Sequence, residues 1–200
     1  MLRRFLRITA LTTGLAAAQN TSIGGFVVLS AVAHDIPPAQ AGLLLAAGSV
    51  ICAACRLAVG AAADRGIGGS MRMVSIMLAA GAVGLLAMAH HARLTFVIGC
   101  LLAFGGAWGF PGLVHYVVGR VAGSATTRAT ATVQAGTSAG ATVGPVIFGL
   151  VLHHAGQTVA WGSAAGVAAV AAALALWAHR TERALIGASR PGSARDTRSR

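Results

Sequence analysis

Arg56 is the one charged residue set well inside an apolar run. Its planar guanidinium could hold an anion or a solute carboxylate in a bidentate grip. It lies two helical turns before Asp64, roughly 12 Å away at 1.5 Å per residue. Gln19, Asn20, Thr21 and Ser22 form an uncharged polar quartet inside another apolar run. Such groups either bind a small polar solute by neutral hydrogen bonds or bond to neighbouring helices. Trp108, His115 and Tyr116 are the matching polar aromatics of a third run. An imidazole such as His115 suits proton transfer at physiological pH, or simply a hydrogen bond in a cavity wall. Cys52-x2-Cys55 has the spacing of a redox or zinc pair but lies mid-run among alanines, so it reads as small packing residues. His34, His90, His91, His153 and His154 lie in the short breaks between runs without a cysteine or carboxylate cluster. No metal site and no cofactor is expected. The four acids, Asp35, Asp64, Glu182 and Asp196, are too scattered for paired acid–base or metal chemistry, which disfavours an integral-membrane enzyme.

The elements that must position these residues follow from composition. Of 200 residues, 56% are hydrophobic and 10% charged, whereas a soluble domain averages about 25% charged. This chain cannot cover a water-facing surface. The net charge of +11 comes from Arg dispersed between long apolar runs with little aromatic interleaving, so no nucleic-acid partner is expected. Three cysteines give no disulfide scaffold. The partner implied throughout is the lipid bilayer.

A spanning helix needs roughly 20 mostly apolar residues. Six stretches qualify or nearly so: 8–33, 41–63, 73–89, 94–118, 129–152 and 159–178. If the N-terminus is cytoplasmic, Arg3, Arg4, Arg7, Arg65, Arg72, Arg120, Arg128 and the tail residues Arg180, Arg183, Arg190, Arg195, Arg198 and Arg200 all lie inside. Arg93 alone lies outside, a strong positive-inside pattern. Both termini are then cytoplasmic, in the plasma (inner) membrane. Met1–Asn20 also resembles a cleavable leader, with a basic start and Ala16-Ala17-Ala18. The apolar character continues through Gly24–Val32, however, and loss of one span would break the Arg pattern. Residues 1–180 therefore read as one six-span domain, and 181–200 as a basic, disordered cytoplasmic tail. Trp161 and Trp177 fall where interfacial anchors of the last span would sit.

Polar residues are costly in the bilayer and mark helices that line an interior. The first span holds the quartet, and the second Ser49 and Arg56. The fourth holds Trp108, His115 and Tyr116, and the fifth Gln134, Thr137, Ser138 and Thr142. The third has only Ser75 and the sixth only Ser163, so those two read as lipid-facing. The order is polar, polar, apolar, twice over. Three spans per triad invert the second triad relative to the first. Backbone interruptions recur in step, at Gly24-Gly25 and in the Gly- and Pro-containing run 105–112. Matching interruptions in two halves point to a solute site at the midplane. The expected class is all-α integral membrane, with six transmembrane helices as two inverted three-helix repeats.

Arg56, Gly60, Asp64 and Arg65 sit in the pattern Arg-x3-Gly-x3-Asp-Arg-Gly at the end of the second span. This resembles the GxxxDRxG loop of the major facilitator superfamily, although the family's last Gly would fall at Ile67. Gly136-x3-Gly140-x3-Gly144-Pro145 is similar to the Gly-rich, GP-containing stretch of that superfamily's fifth or eleventh helix. The chain thus resembles a C-terminal six-helix half of a 12-helix transporter fold. The resemblance implies a secondary transporter moving a small solute by alternating access. It also implies a substrate cavity formed by Gln19, Asn20, Ser22, Trp108, His115 and Tyr116, and a cytoplasmic latch formed by Arg56, Gly60, Asp64 and Arg65. Gly140, Gly144 and Pro145 take a helix-packing role, and a second six-helix half or a second copy is the expected partner. The alternative is a truncated, non-transporting fragment or assembly partner. The Arg asymmetry makes a direct prediction. Reporter fusions after Arg65 and Arg128 give cytoplasmic signals and fusions at Pro38 and Gly156 external ones; one reversed site overturns the topology.

Overall fold

The computed structural model describes residues 1–188, and the described residues form helices and no strand. α1 spans Leu2–Val32, α2 Pro38–Asp64, α3 Met71–Met88, α4 Arg93–Gly109, α5 Pro111–Ala122 and α6 Thr126–Ala188. Counted as continuous helical stretches, four are long and apolar enough to cross a membrane: 2–32, 38–64, 71–88 and the run 93–187.

That last run is far from straight. Phe110-Pro111 separates α4 from α5, because a proline lacks the N–H a helix interior needs. Gly123, at φ 53°, opens a single 3-10 turn before α6. Inside α6, Gly156 has φ 81° and ψ 177°, a conformation open in practice only to glycine. The chain reverses there. Residue 133 lies against Thr13 and residue 141 against Thr21, so 126–155 ascends alongside α1. Trp161 then meets Ser30 and Trp177 meets Arg4, so 157–188 descends on it. α1 is clasped between the two arms of α6.

The loops sort to two ends. One gathers His34, Asp35, His91, Arg93, Gln157 and Thr158. The other gathers Gly69, Met71, Tyr116, Arg120 and Glu182. Pro38 starts α2 at the position where a missing N–H is harmless. Gly66 and Gly68, both at positive φ, turn the chain from α2 to α3.

Close contact between helices relies on small residues, since lipid offers no hydrophobic drive between them. A methyl on Gly140 would run into the carbonyl of Gly14, and one on Gly144 into that of Ala18. α3 and α4 also approach closely, through Gly81, Gly84, Gly99 and Gly106. Larger side chains fill the two ends: Val27, Phe96, Phe104 and Trp161 at the His-rich end, and Phe5, Met71, Leu78 and Val117 at the other.

Four expectations need correction. α1 runs unbroken through Gly24-Gly25, so only the second of the paired interruptions exists. α6 continues to Ala188, so 181–188 are helical rather than part of a disordered tail; residues 189–200 of that tail lie outside the described residues. Ala171, Ala175, Ala178 and Glu182 continue one buried face past the apolar run. Trp161 is fully buried with its indole N–H on Ser30 Oγ at 3.1 Å, and is no interfacial anchor. Finally, the most open helix is the polar α2, where Leu43, Val50 and Leu57 are exposed, while α3 is half-buried.

Gly140→Ala isolates the close α1–α6 contact. Overpacking costs about 1–3 kcal/mol, whereas alanine for glycine in an open helix stabilises by about 0.5–1 kcal/mol. Nothing lies near a methyl placed on Gly166. Thermal melts in detergent should therefore show Gly140→Ala lowering Tm and Gly166→Ala leaving it unchanged or raised.

Candidate functional site

The site grows from two prolines. Pro111 has no N–H for the carbonyl of Ala107, four residues back, and Pro145 has none for Ala141. Lipid cannot satisfy a freed carbonyl. Asn20 Nδ2 donates to Ala107 O at 2.8 Å, and the Thr21 hydroxyl, shared with its own helix, lies 3.3 Å from Ala141 O. At the α4–α5 break Arg56 Nε also donates to Trp108 O at 3.0 Å. Trp108 returns the contact to α1, its indole N–H donating to Asn20 O at 3.0 Å. Three helices are stitched together at one broken backbone.

The quartet therefore divides. Asn20 and Thr21 serve neighbouring helices. The Ser22 hydroxyl donates to Ala18 O in its own helix at 2.7 Å. Gln19 is 3% exposed, and neither its Nε2 nor its Oε1 has a partner; Asn20 Oδ1 is also unpartnered. Gln19 and Ser22 line a groove of about 730 Å³ between α1 and both arms of α6.

The remaining expected cavity residues do not converge there. His115 Nδ1 donates to Pro111 O, one turn back along α5, at 2.8 Å. Tyr116 lies beside Gly69 in the α2–α3 loop, with the Arg120 guanidinium 5.8 Å from its ring. The structure joins Asn20 to Trp108 and Gln19 to Ser22, and sets His115 and Tyr116 apart from both pairs.

The loop pattern behaves in a similar way. Gly60 is open, and Asp64 and Arg65 are exposed. Arg65 Nη1 caps its own helix at Ala61 O, 3.1 Å away. Among the described residues the ion pairs are Arg120–Glu182 and His179–Glu182; Asp64 joins none, and Arg56 lies on the α4 break instead. Sequence reasoning missed Glu182 by placing it in the tail. It is 1% exposed. One carboxylate oxygen accepts from Arg120, and the other accepts from Met71 N at 3.0 Å and lies 3.1 Å from His179 Nδ1. A carboxylate also suits the positive N-terminal end of α3. The signal was the buried-face spacing Ala171, Ala175, Ala178, Glu182.

At the other end His34, Asp35, His91, Arg93, Gln157 and Thr158 line a cleft of about 470 Å³. His34 bonds Ser30 O and His90 O, and Arg93 donates to Gln40 Oε1 at 2.7 Å. No group of three or more metal-ligating side chains forms among the described residues.

The sequence pattern of the Major Facilitator Superfamily matches residues 9–198. The chain belongs to that superfamily. It is therefore a membrane protein of a transporter family, and the superfamily's members carry small solutes rather than catalyse reactions. No curated protein matches the chain. At 200 residues its length is consistent with a half of the superfamily's fold. Within that setting Pro111 and Asn20 give the superfamily chain a broken helix whose freed carbonyl is held by a side chain, while among the described residues the buried Gln19 side chain is without a partner at both its amide atoms.

Glu182→Gln removes the charge that Arg120 and the α3 N-terminus share. Breaking a buried pair costs several kcal/mol, but the Arg120 side chain is 42% exposed, so screening reduces the expected loss to about 1–2 kcal/mol. Thermal melts should show a drop of several degrees for Glu182→Gln and none for Arg183→Gln, which lies on the exposed face.

Proposed function

We propose that this chain is a secondary transporter, or half of one, that moves a small solute across the plasma membrane by alternating access. The observation that carries the reading is the discontinuous α4–α5 helix, whose break faces the polar quartet of α1. Discontinuous helices opposite polar groups are where transporters of several folds hold their solutes. The reversals after α1, α2 and α3, at Gly123 and at Gly156 support six crossings, taken as two inverted triads with both termini cytoplasmic.

A second six-helix half, or a second copy of the chain, completes the assembly. Two features support this. α2 exposes Leu43, Val50 and Leu57, and the ascending arm of α6 carries Gln134, Ser138 and Thr142 one turn apart and all exposed. Polar residues left facing lipid are costly, so a facing bundle is the favoured environment. Gln19, Asn20, Ser22 and Trp108 line the solute path in this reading, with His115 and Tyr116 towards its cytoplasmic end. Arg56, Gly60, Asp64 and Arg65 form the latch that opens and closes the cytoplasmic side.

The test is uptake of radiolabelled small solutes into vesicles bearing the assembly, with membrane abundance measured in parallel. Gln19→Ala should reduce saturable uptake about tenfold or more, as loss of its hydrogen bonding to solute implies, at unchanged abundance. Asn20→Ala should reduce uptake and abundance together, because it also orphans Ala107 O. Saturable uptake indistinguishable from that of empty vesicles under every imposed gradient overturns the transport reading.

A further inference from the structure

The groove that Gln19 lines has a definite chemistry. Its walls are mostly alkyl and aromatic: Leu11, Leu15, Val143, Ile147, Phe148 and Val151. Its hydroxyls are already engaged along their own helices. Ser22 donates to Ala18 O, Thr132 to Arg128 O and Ser163 to Ala160 O. Arg7 is the one charged residue lining it, and no carboxylate is present. An organic cation would find no counter-charge there, and a sugar would leave most of its hydroxyls unsatisfied against alkyl walls, a costly burial. One polar group remains available. Gln19 lines the groove, and its carboxamide holds an N–H donor and a carbonyl acceptor side by side, both enclosed in this conformation and both without a partner. An unsatisfied buried amide is a standing cost to the fold, and a native structure that keeps one calls for a reason.

The geometry points to a binding site for an uncharged, largely apolar solute that carries one adjacent donor–acceptor pair, of the secondary-amide or lactam class. With the Gln19 side chain turned into the groove, the lactam N–H donates to its Oε1, and the lactam carbonyl accepts from its Nε2. The apolar body packs on Leu11, Leu15, Val143, Ile147 and Phe148. At about 730 Å³ the groove falls in the range of small-molecule sites. The inference rests on the transporter reading and names its solute class.

A pair of matched probes tests it. 2-Quinolone is a planar lactam, and naphthalene is its hydrocarbon counterpart of nearly the same shape. Binding of each is measured to the full chain in lipid nanodiscs, alone and in its assembled form, for wild type and for Gln19→Leu. Wild type should bind 2-quinolone about tenfold or more tighter than naphthalene, as two hydrogen bonds to a desolvated amide allow. Gln19→Leu should abolish that preference and leave naphthalene binding equal or tighter. Because leucine replaces an unsatisfied polar group with an apolar one, Gln19→Leu should also keep or raise the Tm. A lowered Tm means that Gln19 has a structural partner in the membrane and overturns the inference. Equal binding of both probes to wild type means a lipid-like apolar groove, and no binding to the assembled form means that a facing bundle occupies it; either result also overturns it. The two readings separate cleanly. Gln19-dependent lactam binding without uptake sinks transport and keeps the site. Saturable uptake of other solutes with no lactam preference sinks the site and keeps transport.

Discussion

A backbone carbonyl that loses its helical partner inside a bilayer has no water to turn to. Two prolines create that situation here, and the bundle is organised around the repair. Pro111 frees Ala107 O, and Asn20 reaches across from α1 to hold it; Pro145 frees Ala141 O, and Thr21 lies beside it. Two consecutive residues thus face two different helices, roughly 100° apart around α1 as helical geometry dictates. That fixes α1 between the α4 break and the ascending arm of α6. The glycines at 136, 140 and 144 then bring that arm close enough for Thr21 to reach.

The same repair explains why the polar residues along α1 differ in role. Gln19 is buried with neither amide atom partnered, whereas its neighbours Asn20, Thr21 and Ser22 all bond to protein. A short polar side chain next to a freed carbonyl is structural. The longer Gln19 side chain, buried beside a groove, meets no such carbonyl and keeps both amide atoms without a partner. Arg56 illustrates the point with a full charge. Its Nε is held on Trp108 O, so the guanidinium serves the break in α4 before it can serve any anion.

Much of the architecture was legible in the residues. The all-helical, apolar class, the Pro111 interruption and the small-residue spacing are written in composition and periodicity, because the bilayer imposes length and hydropathy directly. The unbroken course of α1 through Gly24-Gly25 was not legible. Glycine permits a break without requiring one, whereas proline removes a donor outright. Glu182 was hidden for a different reason: an Arg-rich flank masked a buried face that extends one turn beyond the apolar run. The division among Gln19, Asn20 and Thr21 was invisible too, since it depends on which distant proline each residue meets in space. Nothing in a linear reading links position 20 to 107 or 21 to 141.

The clasp of α1 between the two arms of α6 also sets the order in which the molecule can be made. α1 leaves the ribosome well before α6, which supplies its partners on both sides. Thr13 and Thr21 meet the ascending arm and Ser30 meets Trp161, contacts separated by more than a hundred residues. Until those segments arrive, Thr13, Thr21 and Ser30 are without their partners across the helices, and the amide at the start of α3 lacks Glu182. Such long-range pairing is slow to form. The cross-helix contacts of α1 with α6 therefore close only once the two arms joined at Gly156 fold down over it.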